Sequence, residues 1–352
     1  MSFDPISLLR HLVRLERPSG HEEAARDLVA GVLADHVLVP RILGRNVVVE
    51  IGPAGTPALL LNSHLDTVRA GDGWTRDPRD PGRDDSRVHG LGSNDAGGAG
   101  VAMVDAFLAC SKRSLPARLV LTLTCDEETG GDGLEVVRPG LANLAAAVIG
   151  EPTALAICPA QRGLIRFEIT VRGRTAHASR PWQGENAITG MLEDLERILA
   201  LTWPREHALL GPATHAVTQI SGGTAPNVIP DLCVATGDAR PTPAHPNEEM
   251  VAAITKCVKR GEVTAMKARM TPVDTPLDSE IVLAARGVLP DAEVRGFGGV
   301  SDLWHVRDVP GIVLGPGAPE RSHAPDEWIG TDEVREAADV YRRIIDTWMG
   351  AR

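Results

Sequence analysis

Five short segments of this chain are apolar along most of their length, and they constrain its fold more than any other feature. They cover residues 46–51, 58–62, 118–124, 145–149 and 311–314. A strand that is apolar on both faces is buried on both, and segments with helical periodicity lie between these strands. The pattern predicts an α/β fold in which helices cover a mostly parallel sheet.

Histidine and carboxylate side chains follow four of these five strands. In chain order they are His64, Asp66, Glu127, Glu128, Glu151 and His323. Ligands of open α/β sheets gather at the carboxyl ends of the strands. We therefore expect these side chains to lie together at one edge of one sheet.

A different pattern begins near residue 162. Residues 164–172 alternate between apolar and polar, which is typical of a strand with one exposed face. The segments that follow complete the order β-α-β-β-α-β, which is ferredoxin-like. They are a helix at 186–201, strands at 214–220 and 232–238, a helix at 247–260 and a strand at 263–270. We expect residues 162–271 to form an inserted α+β domain within a catalytic domain made of residues 1–161 and 272–352.

Three helix starts are predicted from capping residues. Asp4 is followed by Pro5, a favoured first helical residue. Ser19 and Glu22 have the spacing of a capping box, which predicts a second helix up to about residue 36. Thr331 precedes a final amphipathic segment and is expected to cap it.

The charge balance and the cysteines limit the class of partner and the compartment. The chain has 36 Lys and Arg residues against 47 Asp and Glu residues, a formal net charge of −11. Since nucleic-acid affinity depends on basic side chains, we expect no nucleic-acid partner. No stretch approaches the roughly 18 apolar residues of a membrane span, so we expect no membrane association. The five cysteines form no C-x-x-C pair, which indicates free thiols and a cytoplasmic protein.

Each candidate side chain is ambiguous when it is considered singly. A His after a strand is more often structural than a ligand, and a pair of Glu residues is usually a solvated loop. Asp95, in GLGSNDAGG, could be a turn residue or a helix cap. Together, two His and three carboxylates form a ligand set suited to Zn, Co or Mn, without the thiolates of structural zinc sites. Five ligands suit two metals that share a bridging ligand.

Nine motifs in one order carry a family resemblance that covers essentially the whole chain. They are SHLDTV (63–68), GLGSNDAGG (90–98), DEETGG (126–131), GEPT (150–153), GRTAHASRP (173–181), APNVIPD (225–231), DARPTP (238–243), GFGGVSD (296–302) and SHAPDE (322–327). The chain resembles the co-catalytic di-zinc amidohydrolases and peptidases. This family includes acetylornithine deacetylase, succinyl-diaminopimelate desuccinylase, aminoacylases and the glutamate-releasing carboxypeptidase.

The resemblance implies two Zn or Co ions per subunit, held by five residues of this sequence. Asp95 would bridge both metals. His64 and Glu151 would complete one site, and Glu128 and His323 the other.

It also implies two catalytic carboxylates. Asp66 would orient the imidazole of His64, as carboxylates commonly do for metal-bound His. Glu127 would be the general base, which takes a proton from a metal-bridging water and passes it to the leaving amine.

The inserted domain would be the lid and the dimerisation domain of a homodimer. His177 would reach the active site of the partner subunit, and Asn227 and Arg240 would contact the substrate. An Arg suits a substrate carboxylate because its planar fork pairs with two oxygens. Gly298 and Gly299 would let the backbone approach the substrate closely.

The second motif departs from its commoner form, which has Arg and Lys where this chain has Leu91 and Gly97. With GEPT, this form is most similar to relatives of acetylornithine deacetylase. The expected reaction is therefore hydrolysis of an N-acyl amino acid of the acetylornithine type. N-acetylcitrulline, succinyl-diaminopimelate and a dipeptide stay open as substrates of the same mechanism.

Two other classes of function are disfavoured. A di-metal phosphoesterase or nuclease would also use carboxylate and His ligands, but the acidic balance and the lack of a Lys/Arg cluster count against it. A non-catalytic homologue is disfavoured because every implied catalytic position is filled.

Overall fold

The computed structural model describes residues 3–131 and 133–352, which form two compact units. The first unit comprises the chain up to Pro159 together with Thr275–Arg295 and Ser301–Arg352. The second comprises Ala160–Asp274 and Gly296–Val300. The short segment Gly296–Val300 carries Gly298 and Gly299, so these two glycines belong to the second unit.

Seventeen strands lie within the described residues. In chain order they are β1 (Arg41–Leu43), β2 (Asn46–Ile51), β3 (Ala58–His64), β4 (Arg87–His89), β5 (Arg118–Thr124), β6 (Leu144–Ile149), β7 (Ile157–Gln161), β8 (Ile165–Arg172), β9 (Glu206–His207), β10 (Gly211–Pro212), β11 (Thr214–Gly222), β12 (Leu232–Arg240), β13 (Glu262–Lys267), β14 (Val273–Asp274), β15 (Val294–Phe297), β16 (Gly311–Val313) and β17 (Trp328–Gly330).

Eight α-helices accompany them within the same residues. They are α1 (Pro5–Val13), α2 (Glu23–Asp35), α3 (Gly98–Cys110), α4 (Gly133–Val137), α5 (Ala187–Leu199), α6 (Asn247–Cys257), α7 (Glu280–Val288) and α8 (Thr331–Gly350). Within the described part of the chain, no helix combines the length and the apolar character needed to cross a bilayer.

The sheet of the first unit has the order β1-β2-β5-β3-β6-β16-β7. Its four central strands, β5, β3, β6 and β16, run parallel to one another. β2 pairs antiparallel with β5, and β7 pairs antiparallel with β16. The α/β prediction is confirmed. The four parallel strands are the same four that precede the His and carboxylate residues in the sequence.

Helices cover this sheet, and nearly every residue of its central strands is therefore buried. All seven residues of β3 are buried, as are six of the seven in β5. The α3 helix is apolar around most of its circumference and packs against α1, α8 and β3. A helix of that composition is stable only inside a core. It therefore holds the turn that precedes it, Ser93–Gly97, in a fixed place.

The capping predictions have mixed outcomes. The Asp4 carboxylate accepts hydrogen bonds from the amides of Ile6 and Ser7, so the first cap is confirmed. The final helix begins with Thr331 itself, one residue earlier than predicted, with Gly330 as its N-cap.

The capping box predicted for α2 is wrong. The Ser19 hydroxyl instead donates to Oδ2 of Asp66 at 2.7 Å. The Glu22 carboxylate accepts from the amides of Gly20 and Asp126, each at 3.0 Å. Each side chain thus forms a hydrogen bond with a residue distant in sequence, Ser19 with Asp66 and Glu22 with Asp126, and these tertiary contacts replace the local capping box.

The second unit has the predicted ferredoxin-like order. Its antiparallel sheet runs β11-β12-β8-β13, with α5 and α6 as the two helices of the motif. The burial of β8 alternates along the strand, as the sequence pattern predicts. The core of the unit contains Phe167, whose ring lies against the backbone of Gly237. A Cβ atom at Gly237 would lie 2.1 Å from Cζ of Phe167, so only glycine fits this position.

Candidate metal centre

The five predicted metal ligands and the two predicted catalytic carboxylates all lie in the first unit. His64 is the last residue of β3, and Glu151 follows β6 by two residues. Glu127 and Glu128 begin the short turn after β5. Asp66 follows His64 by two residues. The remaining two ligands come from loops, since Asp95 lies in the turn before α3 and His323 follows β16 at a distance along the chain. Strand ends alone therefore supply only part of the set.

Asp95 stands between the two histidines, with one carboxylate oxygen facing each. Its Oδ1 is 3.3 Å from Nε2 of His64, and its Oδ2 is 3.4 Å from Nε2 of His323. On the first side, Oε2 of Glu151 is 3.8 Å from the same His64 nitrogen. On the second side, Oε2 of Glu128 is 3.0 Å from Nε2 of His323. The structure thus brings the five predicted ligands together around one carboxylate. Glu128 lies close to both histidines, since donor atoms of His64, Asp95 and Glu128 are also within 4.8 Å of one another.

This cluster is strongly negative, and its direct ion pairs are with imidazoles. Within the described residues, the ion pairs of Asp95, Glu128 and Glu151 are with His64 and His323 rather than with Lys or Arg. Burial, and then the charges of Asp95 and Glu128, raise the pKa of Glu151 to about 7 against the opposing effect of His64. Buried carboxylates without a matching cation are costly.

The pKa values of both histidines are raised by the same negative potential. The hydrogen bond to Glu128, and then the charges of Glu128, Asp95 and Glu327, raise the pKa of His323 to about 9 although burial opposes them. Burial alone would lower the pKa of His64, but Glu151 and the hydrogen bonds to its carboxylate neighbours raise it well above its usual value. A potential that holds protons on two imidazoles also favours divalent cations. The nitrogen and oxygen donors, grouped around a shared carboxylate, fit two such ions.

Asp66 connects the two sides of the candidate centre. Its Oδ1 is 3.4 Å from Nδ1 of His64, which leaves Nε2 directed at Asp95 and Glu151. Its two oxygens also accept hydrogen bonds from the amides of Glu127 and Glu128, each at 3.1 Å. Burial opposes ionisation, but His64 and these hydrogen bonds outweigh it and lower the pKa of Asp66 to about 2.

Glu127 lies beside the first group of ligands. A carboxylate oxygen of Glu127, a ring nitrogen of His64 and a carboxylate oxygen of Glu151 all lie within 4.8 Å of one another. Burial, and then the charge of Glu151, raise the pKa of Glu127 well above its usual range. A carboxyl group with a raised pKa in this position can accept and return a proton.

Glu327 is a buried residue of the site for which the sequence analysis proposed no role. Its Oε1 accepts hydrogen bonds from the amides of Asn94 at 2.7 Å and Asp95 at 3.0 Å. It therefore holds the turn that presents the shared carboxylate. The sequence signal was its place in SHAPDE, close to His323, but nothing local indicates which amides it binds.

Asp302 is a second buried carboxylate without a predicted role. Its Oδ2 accepts from Nδ2 of Asn62 at 2.8 Å and from Oγ1 of Thr124 at 2.7 Å. These donors belong to β3 and β5, so Asp302 joins the ends of the two strands that lead to His64 and Glu127.

A neighbouring group of ligand-type residues does not fit a metal. Glu22, Cys125 and Asp126 have donor atoms within 4.8 Å of one another. The Arg45 guanidinium forms ion pairs with both Glu22 and Asp126. Burial, and then the charge of Asp126, raise the pKa of the Cys125 thiol to about 12, so it stays protonated at neutral pH. The Arg45 guanidinium therefore already compensates the negative charge of this group.

The predicted substrate-binding side chains belong to the second unit. His177 and Asn227 are exposed and lie on paired segments, because the amide of Ala178 donates to the Asn227 carbonyl at 2.9 Å. The Arg240 guanidinium donates to both oxygens of Asp238, from Nε at 2.7 Å and from Nη2 at 3.2 Å.

Gly298 and Gly299 follow β15 in this unit. A Cβ atom at Gly298 would meet nothing within 4 Å, and one at Gly299 would lie 3.0 Å from the ring of Phe297. Open space beside Gly298 is compatible with a close approach of another molecule.

Comparison with known proteins decides the family. The family model described as Peptidase family M20/M25/M40 matches residues 60–347. The chain belongs to this family. It is a hydrolase that acts on amide bonds, and the family depends on metal ions.

Relatives and solved structures extend over nearly the whole chain. A probable carboxypeptidase of Aspergillus terreus is 30% identical over 98% of this chain and 86% of its own length. An acetylornithine deacetylase of Pectobacterium carotovorum is 28% identical over 91% of this chain and 89% of its own length. An M20 family metallo-carboxypeptidase of Sulfolobus solfataricus has a similar structure, with a TM-score of 0.82, 16% identity and 99% of each chain covered. These findings confirm the predicted family and fold.

Proposed function

We propose that this metal-dependent hydrolase cleaves the amide bond of an N-acyl amino acid, with acetylornithine as the type substrate. The observation that carries the proposal is the placement of Asp95, which directs one oxygen toward each of two histidine–carboxylate groups. Similarity to an acetylornithine deacetylase over 91% of the chain supports the substrate class.

We assign the proposed metal ligands to two sets by their shortest contacts. His64, Glu151 and Oδ1 of Asp95 would hold one ion, and Glu128, His323 and Oδ2 of Asp95 the other. When bound, two Zn or Co ions would polarise the scissile carbonyl and lower the pKa of the attacking water. Asp66 would keep the His64 ring in the orientation that binds metal.

Glu127 would act as the general base and then as the general acid. Its carboxylate takes a proton from the attacking water as the water oxygen bonds to the carbonyl carbon. It then delivers this proton to the amide nitrogen as the C–N bond breaks, which gives a carboxylic acid and an amine. The acid passes its proton to the more basic amine, so that a carboxylate and an ammonium group leave. The hydrogen bonds from the Glu127 and Glu128 amides to Asp66 hold the turn that presents this carboxylate.

The second unit would supply contacts to the substrate. Arg240 would pair with a substrate carboxylate through the side of its guanidinium that carries Nη1, because Asp238 binds Nε and Nη2. Asn227, Gly298 and Gly299 would also contact the substrate. His177 would act in the active site of a partner subunit, in a homodimer formed through this unit.

A carboxypeptidase is the second candidate, because the 30% identical relative carries that description. Both activities need the same metal ligands and the same base, so only the substrate distinguishes them. Succinyl-diaminopimelate and N-acetylcitrulline are further candidates for the same site.

A substrate panel separates these alternatives. We would measure kcat/KM of the Zn and Co forms with acetylornithine, N-acetylcitrulline, succinyl-diaminopimelate, unrelated acetyl amino acids and dipeptides. Acetylornithine is expected to give the highest value. If it is cleaved no faster than unrelated acetyl amino acids, the proposed substrate is wrong, and preference for dipeptides would favour the carboxypeptidase. The Glu127→Gln variant is the control for contaminating hydrolases.

A further inference from the structure

Arg17 is a buried cation that joins two loops of the candidate metal centre. It lies between α1 and α2 and is 2% exposed. Its Nη1 donates to the carbonyl oxygen of Leu65, and its Nη2 donates to that of Gly92 at 2.9 Å. Leu65 directly follows His64, and Gly92 opens the turn that carries Asp95. One planar guanidinium therefore connects the backbone next to two proposed ligands.

The surroundings of Arg17 stabilise its charge. Burial lowers its pKa, while the charges of Glu327, Asp66, Glu128 and Asp95 act in the opposite direction. A guanidinium stays protonated even when it is buried, and a buried cation persists only where hydrogen bonds and opposite charges compensate its desolvation. The carboxylates of the candidate centre provide that compensation.

The turn around Asp95 has no room for a longer side chain at two of its glycines. A Cβ atom at Gly92, where φ is +73°, would lie 2.5 Å from Nη2 of Arg17. One at Gly97 would lie 2.3 Å from the carbonyl oxygen of Gly92 and 3.4 Å from the same Nη2. Position 91, where the commoner form of the motif has Arg, is Leu and lines the same cavity as Arg17. The buried cation beside this turn is Arg17, from the segment between α1 and α2.

We propose that Arg17 is a positioning residue of the metal centre, which fixes the loop after His64 against the turn that carries Asp95. This inference rests on the metal-dependent function proposed above. Positions 91 and 97 are Leu and Gly in this chain, so neither carries a charged group that could bind these two carbonyls. Arg17 itself touches neither substrate nor metal in this account.

The positive charge of Arg17 and its hydrogen bonds to the two loops would have opposite effects on metal affinity, so a measurement can separate them. A positive charge repels a divalent cation, so an Arg17 that contributed only its charge would weaken metal binding. Arg17→Met would then bind Zn²⁺ more tightly. If Arg17 acts by position, Arg17→Met binds Zn²⁺ roughly 10- to 100-fold more weakly, as is common when a partner of the ligands is removed. Arg17→Lys keeps the charge but lacks the fork for two carbonyls, so its affinity also falls.

The matched control is Arg343→Met. Arg343 also donates to a backbone carbonyl, that of Val288 at 3.2 Å, but this bond joins α8 to the end of α7, and neither helix carries a proposed ligand. We would measure Zn²⁺ affinity of the full-length variants by competition with a chelator of known affinity. The thermal midpoint of each metal-free protein would show that it is folded.

The proposal predicts wild-type Zn²⁺ affinity for Arg343→Met and weakened affinity for both Arg17 variants. It is overturned if a folded Arg17 variant binds Zn²⁺ with wild-type or higher affinity. If Arg17→Met does not fold, Arg17→Lys decides the outcome alone. Failure of the wild-type protein to bind Zn²⁺ would overturn the proposed function as well, so the two failures are distinguishable.

Discussion

Replacing Glu327 tests how the turn at Asp95 is held. Glu327→Ala removes the acceptor of the hydrogen bonds from the Asn94 and Asp95 amides. Glu327 is 2% exposed, so water cannot replace that acceptor without rearrangement. Glu327→Gln keeps a carbonyl oxygen in the same position. Burial also raises the pKa of Glu327 to about 7, so the neutral amide resembles the protonated carboxyl group.

The expected magnitude follows from the two bonds. At about 1.5 kcal/mol for each hydrogen bond to a charged or partly charged acceptor, Glu327→Ala loses about 3 kcal/mol of unfolding free energy. In a domain of roughly 150–250 residues this lowers the thermal midpoint by about 6–12 °C. Glu327→Gln is expected to stay within about 1 kcal/mol of the wild type, because both amides retain an acceptor.

Two measurements check this prediction. Thermal unfolding of the metal-free proteins gives the stability difference, and Zn²⁺ titration calorimetry gives the affinity. Only Glu327→Ala is expected to bind Zn²⁺ more weakly, by roughly 10- to 100-fold. Equal stability and equal affinity of the Ala and Gln variants would refute the account of how Glu327 acts.

Three further predictions follow from the structure. Glu127→Gln is expected to lower kcat by roughly 10²- to 10⁴-fold with unchanged metal content; wild-type hydrolysis would show that Glu127 is not the base. Gly237→Ala forces a Cβ against the Phe167 ring and is expected to cost about 1–3 kcal/mol in a calorimetric scan, and an unchanged scan would contradict the packing described. Ellman titration of the native protein at pH 8 is expected to show at most one rapidly reacting thiol, that of Cys257, because the other four cysteines are buried. Denaturation should expose all five.

Much of the fold was predictable because it depends on local pattern. The four parallel strands are continuous apolar segments, and the alternation in β8 marks a strand with a half-exposed face. Three of the strand ends deliver ligand-type residues directly. His64 is the clearest case, since it is the last residue of β3 and lies at the centre of the cluster.

The supports of the site were not predictable, because they connect residues that are distant in sequence. Glu327 binds the amide of Asp95 across 232 positions, and Asp302 binds Asn62 across 240. Ser19 has the spacing of a helix cap but hydrogen bonds Asp66. Such choices depend on which loops meet in the folded chain, and periodicity carries no information about that.

Anomalous diffraction from crystals grown with Zn²⁺ tests the central claim most directly. The account predicts two strong zinc peaks in each chain, about 3.5–4 Å apart, on either side of the Asp95 carboxylate. One peak should contact His64 and Glu151, and the other Glu128 and His323. A single zinc ion, or zinc bound away from Asp95 under saturating conditions, would contradict the two-metal account.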